Sequence, residues 1–93
     1  MSDRVLMRVY PQGDVVAVLI DQPGTNDPYS CACYQTIGQH GSCDPQHVIQ
    51  STRPATPDEW RDLGTELARI GYDPRVIKRT PSDALQIRRG AIA

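Results

Sequence analysis

The strongest constraint on the fold of this chain is the run from Thr56 to Tyr72, TPDEWRDLGTELARIGY. Thr56 suits a helix N-cap, Pro57 suits the first helical position, and Glu59, three residues after Thr56, completes a capping box. Asp58 and Glu59 add negative charge at the positive end of the helix dipole. Trp60, Leu63, Leu67 and Ile70 fall within about 80° of one another at 100° per residue, a narrow stripe that faces a core. Gly71 stops the helix from the C′ position, and Tyr72 folds back on Leu67 as in a Schellman motif. Gly64 costs the helix roughly 1 kcal/mol relative to alanine, which the close approach of a strand would explain.

The upstream half supplies a sheet for that helix. Along residues 4–10, Val5, Met7 and Val9 share one face while Arg4, Leu6, Arg8 and Tyr10 share the other. This reads as a half-buried strand whose outer face is covered by long side chains. A PQGD turn leads into residues 15–20 (VVAVLI), which are apolar on both faces and so belong to a central or doubly covered strand. The connection is short enough to make an antiparallel hairpin. Residues 22–28 are dense in turn formers and form an exposed loop. A third strand is expected at 29–37, with Tyr29, Cys31, Cys33, Gln35 and Ile37 on one face and Ser30, Ala32, Tyr34 and Thr36 on the other. Gly38 and Gly41 bracket a turn. Asp44-Pro45 begins another turn or a short helical piece carrying His47, Val48 and Ile49.

After the main helix, residues 75–79 (RVIKR) read as a sheet-edge strand and 81–89 as a short basic helix. The sequence therefore predicts an α+β fold in two layers. An antiparallel sheet in β-β-β-α-β order carries one main helix on one face, followed by a weak C-terminal helix. Ninety-three residues make a single domain, with a core at about 4–79 and a basic segment at 80–93.

Charge is unevenly distributed. Residues 1–74 hold five basic and ten acidic side chains, whereas residues 75–93 hold five basic and one acidic. Arg75, Lys78, Arg79, Arg88 and Arg89 are thus the candidate contacts to nucleic acid. The longest apolar run, residues 15–20, is too short for a membrane span. The N-terminus has no signal-like pattern. Three cysteines do not suit a secreted disulfide framework, so a cytoplasmic protein with reduced thiols is expected.

Residues 31–57 hold all three cysteines and both histidines. Cys31, Cys33, His40, Cys43 and His47 are soft ligands within seventeen residues and could form a tetrahedral zinc site, although the spacing matches no standard finger or ribbon. Zinc is the one cofactor these residue types suggest; the alternative is small core-facing residues and incidental loop side chains. Cys43 with His40 or His47 has the residue types of a nucleophile and base. However, no nucleophile elbow, phosphate-binding glycine loop or HExxH pattern accompanies them, and no enzymatic activity is expected. Asp58, Asp62 and Glu66, at i, i+4 and i+8, form an acidic ridge away from the apolar stripe. It reads either as a solvated face or as a contact for a basic partner. Arg53 reads as a clamp onto carbonyls of the strand-three loop or as an exposed contact beside His40.

At IGQHG, TRPATPDEW, ELARIGY and RVIKR the chain resembles a family of short proteins from proteobacterial plasmids, integrative elements and phage-related mobile DNA. The resemblance spans roughly residues 5–79. It departs from the family pattern at Cys43, where the family has alanine, which weakens any shared metal or thiol role. What it implies is a small accessory protein of mobile DNA in a bacterial cytoplasm. The expected function is non-enzymatic protein binding to a host or mobile-element complex, with antagonism of a host defence complex in the manner of anti-CRISPR proteins as its specific form. The candidate contacts are Tyr34, Gln39, His40, His47, Arg53, Asp58, Asp62 and Glu66, in a surface joining residues 38–47, Arg53 and strand three. A nucleic-acid-binding regulator is the alternative and a zinc-stabilised domain the third reading. Exposed sheet edges also suggest a homodimer.

Overall fold

The structure, a computed structural model, describes residues 2–35 and 38–92. The elements in chain order are β1 (Asp3–Val9), β2 (Val15–Leu19), β3 (Cys31–Gln35), β4 (Gln39–Cys43), α1 (Pro45–Ser51), β5 (Arg53–Pro54), α2 (Pro57–Arg69), β6 (Pro74–Ile77) and α3 (Ala84–Ile92). The six strands form one sheet in the order β4-β3-β2-β1-β5, with β6 also on β1. Every pairing is antiparallel except β1 with β6, where Val5 lies opposite Val76 in a parallel register. The α+β class holds, with α2 as the main helix on one face.

The alternation read from the sequence sorts the core. Val5, Met7, Ala17, Leu19 and Tyr34 point towards α2 and meet Leu63 and Leu67. Leu6, Val16, Val18, Ile20 and Cys31 point the other way and meet Val48 of α1 and Ala84 of α3. β2 is therefore covered on both sides, as its unbroken apolar run requires. Burial of a leucine such as Leu67, fully enclosed, stabilises the fold by about 2 kcal/mol.

α2 is capped as its sequence dictates. The Thr56 side chain accepts from the Glu59 N–H, and the Glu59 carboxylate accepts from the Thr56 N–H. At the other end, the Tyr72 N–H donates to Leu67 O (3.0 Å) and the Gly71 N–H to Ala68 O (3.3 Å), a complete Schellman pair. Gly71 adopts φ +115°, which a side chain would resist. Two expectations need correction. Ile70 at the C-cap is 46% exposed and lies outside the core stripe. The nearest neighbour of Gly64 is not a strand but the Trp60 ring, folded along the same helix: a Cβ at Gly64 would stand 3.2 Å from it, with no strand atom within 4 Å.

Three further elements differ from the sequence reading. The expected turn at 38–41 is the start of β4, which pairs with β3 from Cys31 opposite Cys43 to Gln35 opposite Gln39. The short helical piece is a two-turn helix, α1, begun by Asp44 as N-cap and Pro45 at N1. The expected edge strand at 75–79 is β6, shifted to 74–77. The Thr36 and Ile37 positions of the expected third strand lie outside the described residues.

Two arginines dock the short helices. Arg8 donates to Thr52 Oγ1 and to the carbonyls of Ile49 and Thr52, occupying acceptors left open at the end of α1. Arg88 of α3, only 5% exposed, donates to Ile20 O (2.6 Å) and Pro28 O (2.7 Å). It thereby fixes both ends of the loop that enters β3.

Candidate functional site

The candidate surface is built on β4. Gln39, His40, Gly41 and Ser42 are all exposed, and among the described residues only the β3 side of the strand is paired with another strand. Behind it, Tyr34 lies opposite His40 in register. Their rings meet edge-on, with centroids 4.7 Å apart and planes at 69°. The Tyr72 ring approaches His40 from the end of α2, and Tyr72 Oη lies 3.4 Å from His40 Nε2. His40 is thus held on the rim by two tyrosines while remaining open to solvent.

Tyr34 itself is a core residue at 1% exposure, so its expected role as a direct contact is corrected. Its hydroxyl donates to the Glu66 carboxylate and accepts from the Gly38 N–H at 2.9 Å. The carboxylate beside it raises the hydroxyl pKa above the ordinary tyrosine value. This bridge ties α2 to the start of β4. It also removes Glu66 from the expected solvent-facing ridge: Asp58 and Asp62 are exposed, Asp58 pairing with Arg61 at 2.9 Å, while Glu66 is half-buried and turned to the sheet.

Arg53 takes neither of its expected places. It forms a two-pronged pair with Glu59 at 2.8 and 2.6 Å and also donates to Pro54 O. The guanidinium, followed by the Thr56 N–H, holds the Glu59 carboxyl down at about 2. β5 and β4 are separated by β1, β2 and β3, about 19 Å at normal strand spacing. A single patch joining Arg53 to His40 is therefore not formed. His47 is exposed on α1, which continues from β4 through Asp44.

The expected zinc set is also divided. Cys31 and Cys33 belong with the face covered by α1 and α3, together with Cys43, whereas His40 lies with Tyr34 towards α2. Among the described residues, no group of three or more His, Cys, Asp and Glu side chains is placed to hold a metal ion. What the fold does bring together is Cys31 and Cys43, whose sulfurs are 3.7 Å apart. The Cys43 contact lowers the Cys31 thiol pKa, helped by Arg88 against the effect of burial. Cys43 is pushed up by the same contact and by burial, and Cys33 is pushed up to about 11, chiefly by burial.

The basic set is likewise only partly a surface. Arg75, Lys78, Arg79 and Arg89 are exposed, but Arg88 is the buried clamp on Ile20 and Pro28 and cannot reach a phosphate backbone. Arg89 donates to Tyr29 Oη at 2.9 Å, with its guanidinium 5.7 Å from the ring centre.

The sequence reading missed Tyr72 as a support for His40, and Ser42 as part of an exposed strand. It also missed the pairing of Cys31 with Cys43. The antiparallel register of β3 with β4 sets residues 31 and 43 opposite one another; two cysteines twelve positions apart on either side of Gly38 were the available signal. Among the described helices, none is long and apolar enough to cross a membrane. Comparisons with protein-family models, curated proteins and solved structures give no match to this chain.

Proposed function

We propose that this protein is a non-enzymatic binding factor that engages another protein through β4 and the side chains on it. The observation that carries this reading is the position of Gln39 and His40. Both stand on an exposed edge strand with no further strand on its outer side among the described residues. Such an edge offers backbone donors and acceptors to an extended segment of a partner, while alternate side chains supply selectivity. His40, steadied by Tyr34 and Tyr72, is the anchor on the α2 side of the strand. His47 extends the surface beyond the strand end.

The resemblance to proteins of mobile DNA supports a host or mobile-element complex as the partner. Occlusion of a defence complex in the anti-CRISPR manner is its specific form, because occupying a surface requires no chemistry. The test is co-purification from bacterial cells with two variants. Gln39→Ala with His40→Ala is expected to lose the partner, while Asp58→Ala with Asp62→Ala retains it. Equal recovery by both would remove β4 as the contact surface.

A further inference from the structure

We infer that Cys31 and Cys43 form an oxidisable dithiol site, closing a cross-strand disulfide that staples β4 to β3. This rests on the cysteine geometry alone and stands whether or not β4 binds a partner.

The two residues are direct register partners of an antiparallel pair. Such partners have Cα atoms about 4.5–5.5 Å apart, within the range of about 4.4–6.8 Å that a disulfide spans. Their sulfurs already touch at 3.7 Å, so side-chain rotation and a small closure of the strands bring them to bonding distance. Cys33 is the competitor. Its register partner is Gly41 rather than a cysteine, and it can reach Cys43 only diagonally.

Burial orders the chemistry. Cys31 is fully enclosed, whereas Cys43, half-buried like Cys33, is the member of the pair that a soluble oxidant can reach. Ionisation favours the Cys31 sulfur and access favours Cys43, so proton transfer across the 3.7 Å contact supplies the Cys43 thiolate. With oxidised glutathione, that thiolate attacks one glutathione sulfur, forming a mixed disulfide and releasing one glutathione thiolate. The Cys31 thiolate then attacks Cys43 Sγ and expels the second glutathione. Two protein thiols lose two protons and two electrons, and one glutathione disulfide becomes two glutathione thiols. The positive field of Arg88 favours the Cys31 thiolate needed for the second step.

The test is incubation of the whole protein with oxidised glutathione, followed by free-thiol counting and intact mass measurement. Wild type is expected to fall from three free thiols to one and to lose the mass of two hydrogens. Cys33→Ser is expected to fall from two to none with the same loss of mass. Cys43→Ser, altered at a half-buried position, is expected to form no internal disulfide. Retention of three thiols by wild type would overturn the inference. So would a failure of Cys33→Ser to close, which would assign the bond to Cys33, or an internal disulfide in Cys43→Ser.

Discussion

The two edges of the sheet are built in opposite ways. On one side β1 is flanked by two fragments, β5 of two residues and β6 of four, which run in opposite directions. Pro54, Pro74, Arg75 and the Arg53–Glu59 pair all lie along that side. Short strands, prolines and charges are devices that discourage a further strand from adding. Trp60 overhangs the gap between the fragments, above a cleft of about 190 Å³ that Pro54, Val76 and Lys78 help to line. The other edge is β4, five residues without proline or a charged side chain, exposed through Gln39, His40, Gly41 and Ser42. One edge is guarded and the other left open, and the open one carries the candidate contacts.

The open edge is held from behind, and substitutions there should have the largest effects. Gly24 sits so close to β4 that a Cβ would lie 2.3 Å from Ser42 Cβ and 2.7 Å from Cys31 O. Backbone cannot yield as a flexible side chain can. Gly24→Ala is therefore expected to cost about 3 kcal/mol, measured by chemical denaturation, with loss of amide protection concentrated in β4. Wild-type protection in β4 of that variant would show that Gly24 does not support the edge.

Arg88→Met should come next, at about 2–3 kcal/mol, because Ile20 O and Pro28 O lose a charged donor. Its signature is faster hydrogen exchange in α3 and in the loop entering β3, with α2 unchanged. Uniform loss across all elements would argue against a local clamp.

The guarded edge gives the smallest effect, visible in acid. Glu59 is depressed from 4.5 to about 2 in the folded protein. Its contribution is present in full above its unfolded value and lost as pH falls from about 4.5 towards 2. Glu59→Gln should lower stability slightly near neutrality, where the wild-type contribution is complete, and flatten the profile below about pH 4.5, so that the two proteins converge towards pH 2. A wild-type acid slope in the variant would place the titration elsewhere.

The difference between the edges also separates what was legible in the sequence from what was not. α2 was legible because Thr56, Glu59, Gly71 and Tyr72 act within a few residues of one another. The faces of β1 and β2 were legible because their alternation is complete. β4 was not: Gln-His-Gly-Ser-Cys has little strand preference, and its conformation comes from pairing with β3. The buried docking of Arg8 and Arg88 was not legible because their acceptors lie 41 to 68 residues away, beyond any local pattern. The same distance effect divided the candidate site. Arg53 and His40 are near in sequence yet lie at opposite edges, and the cysteines share a face that His40 does not.

Photo-crosslinking in bacterial cells tests the open edge most directly. A photoreactive residue is introduced at Gln39 in one protein and at Lys78, beside the Trp60 cleft, in another. A discrete adduct with a second protein from position 39, and none from position 78, is the expected result. An adduct from position 78 alone would place the partner at the guarded edge and contradict the account.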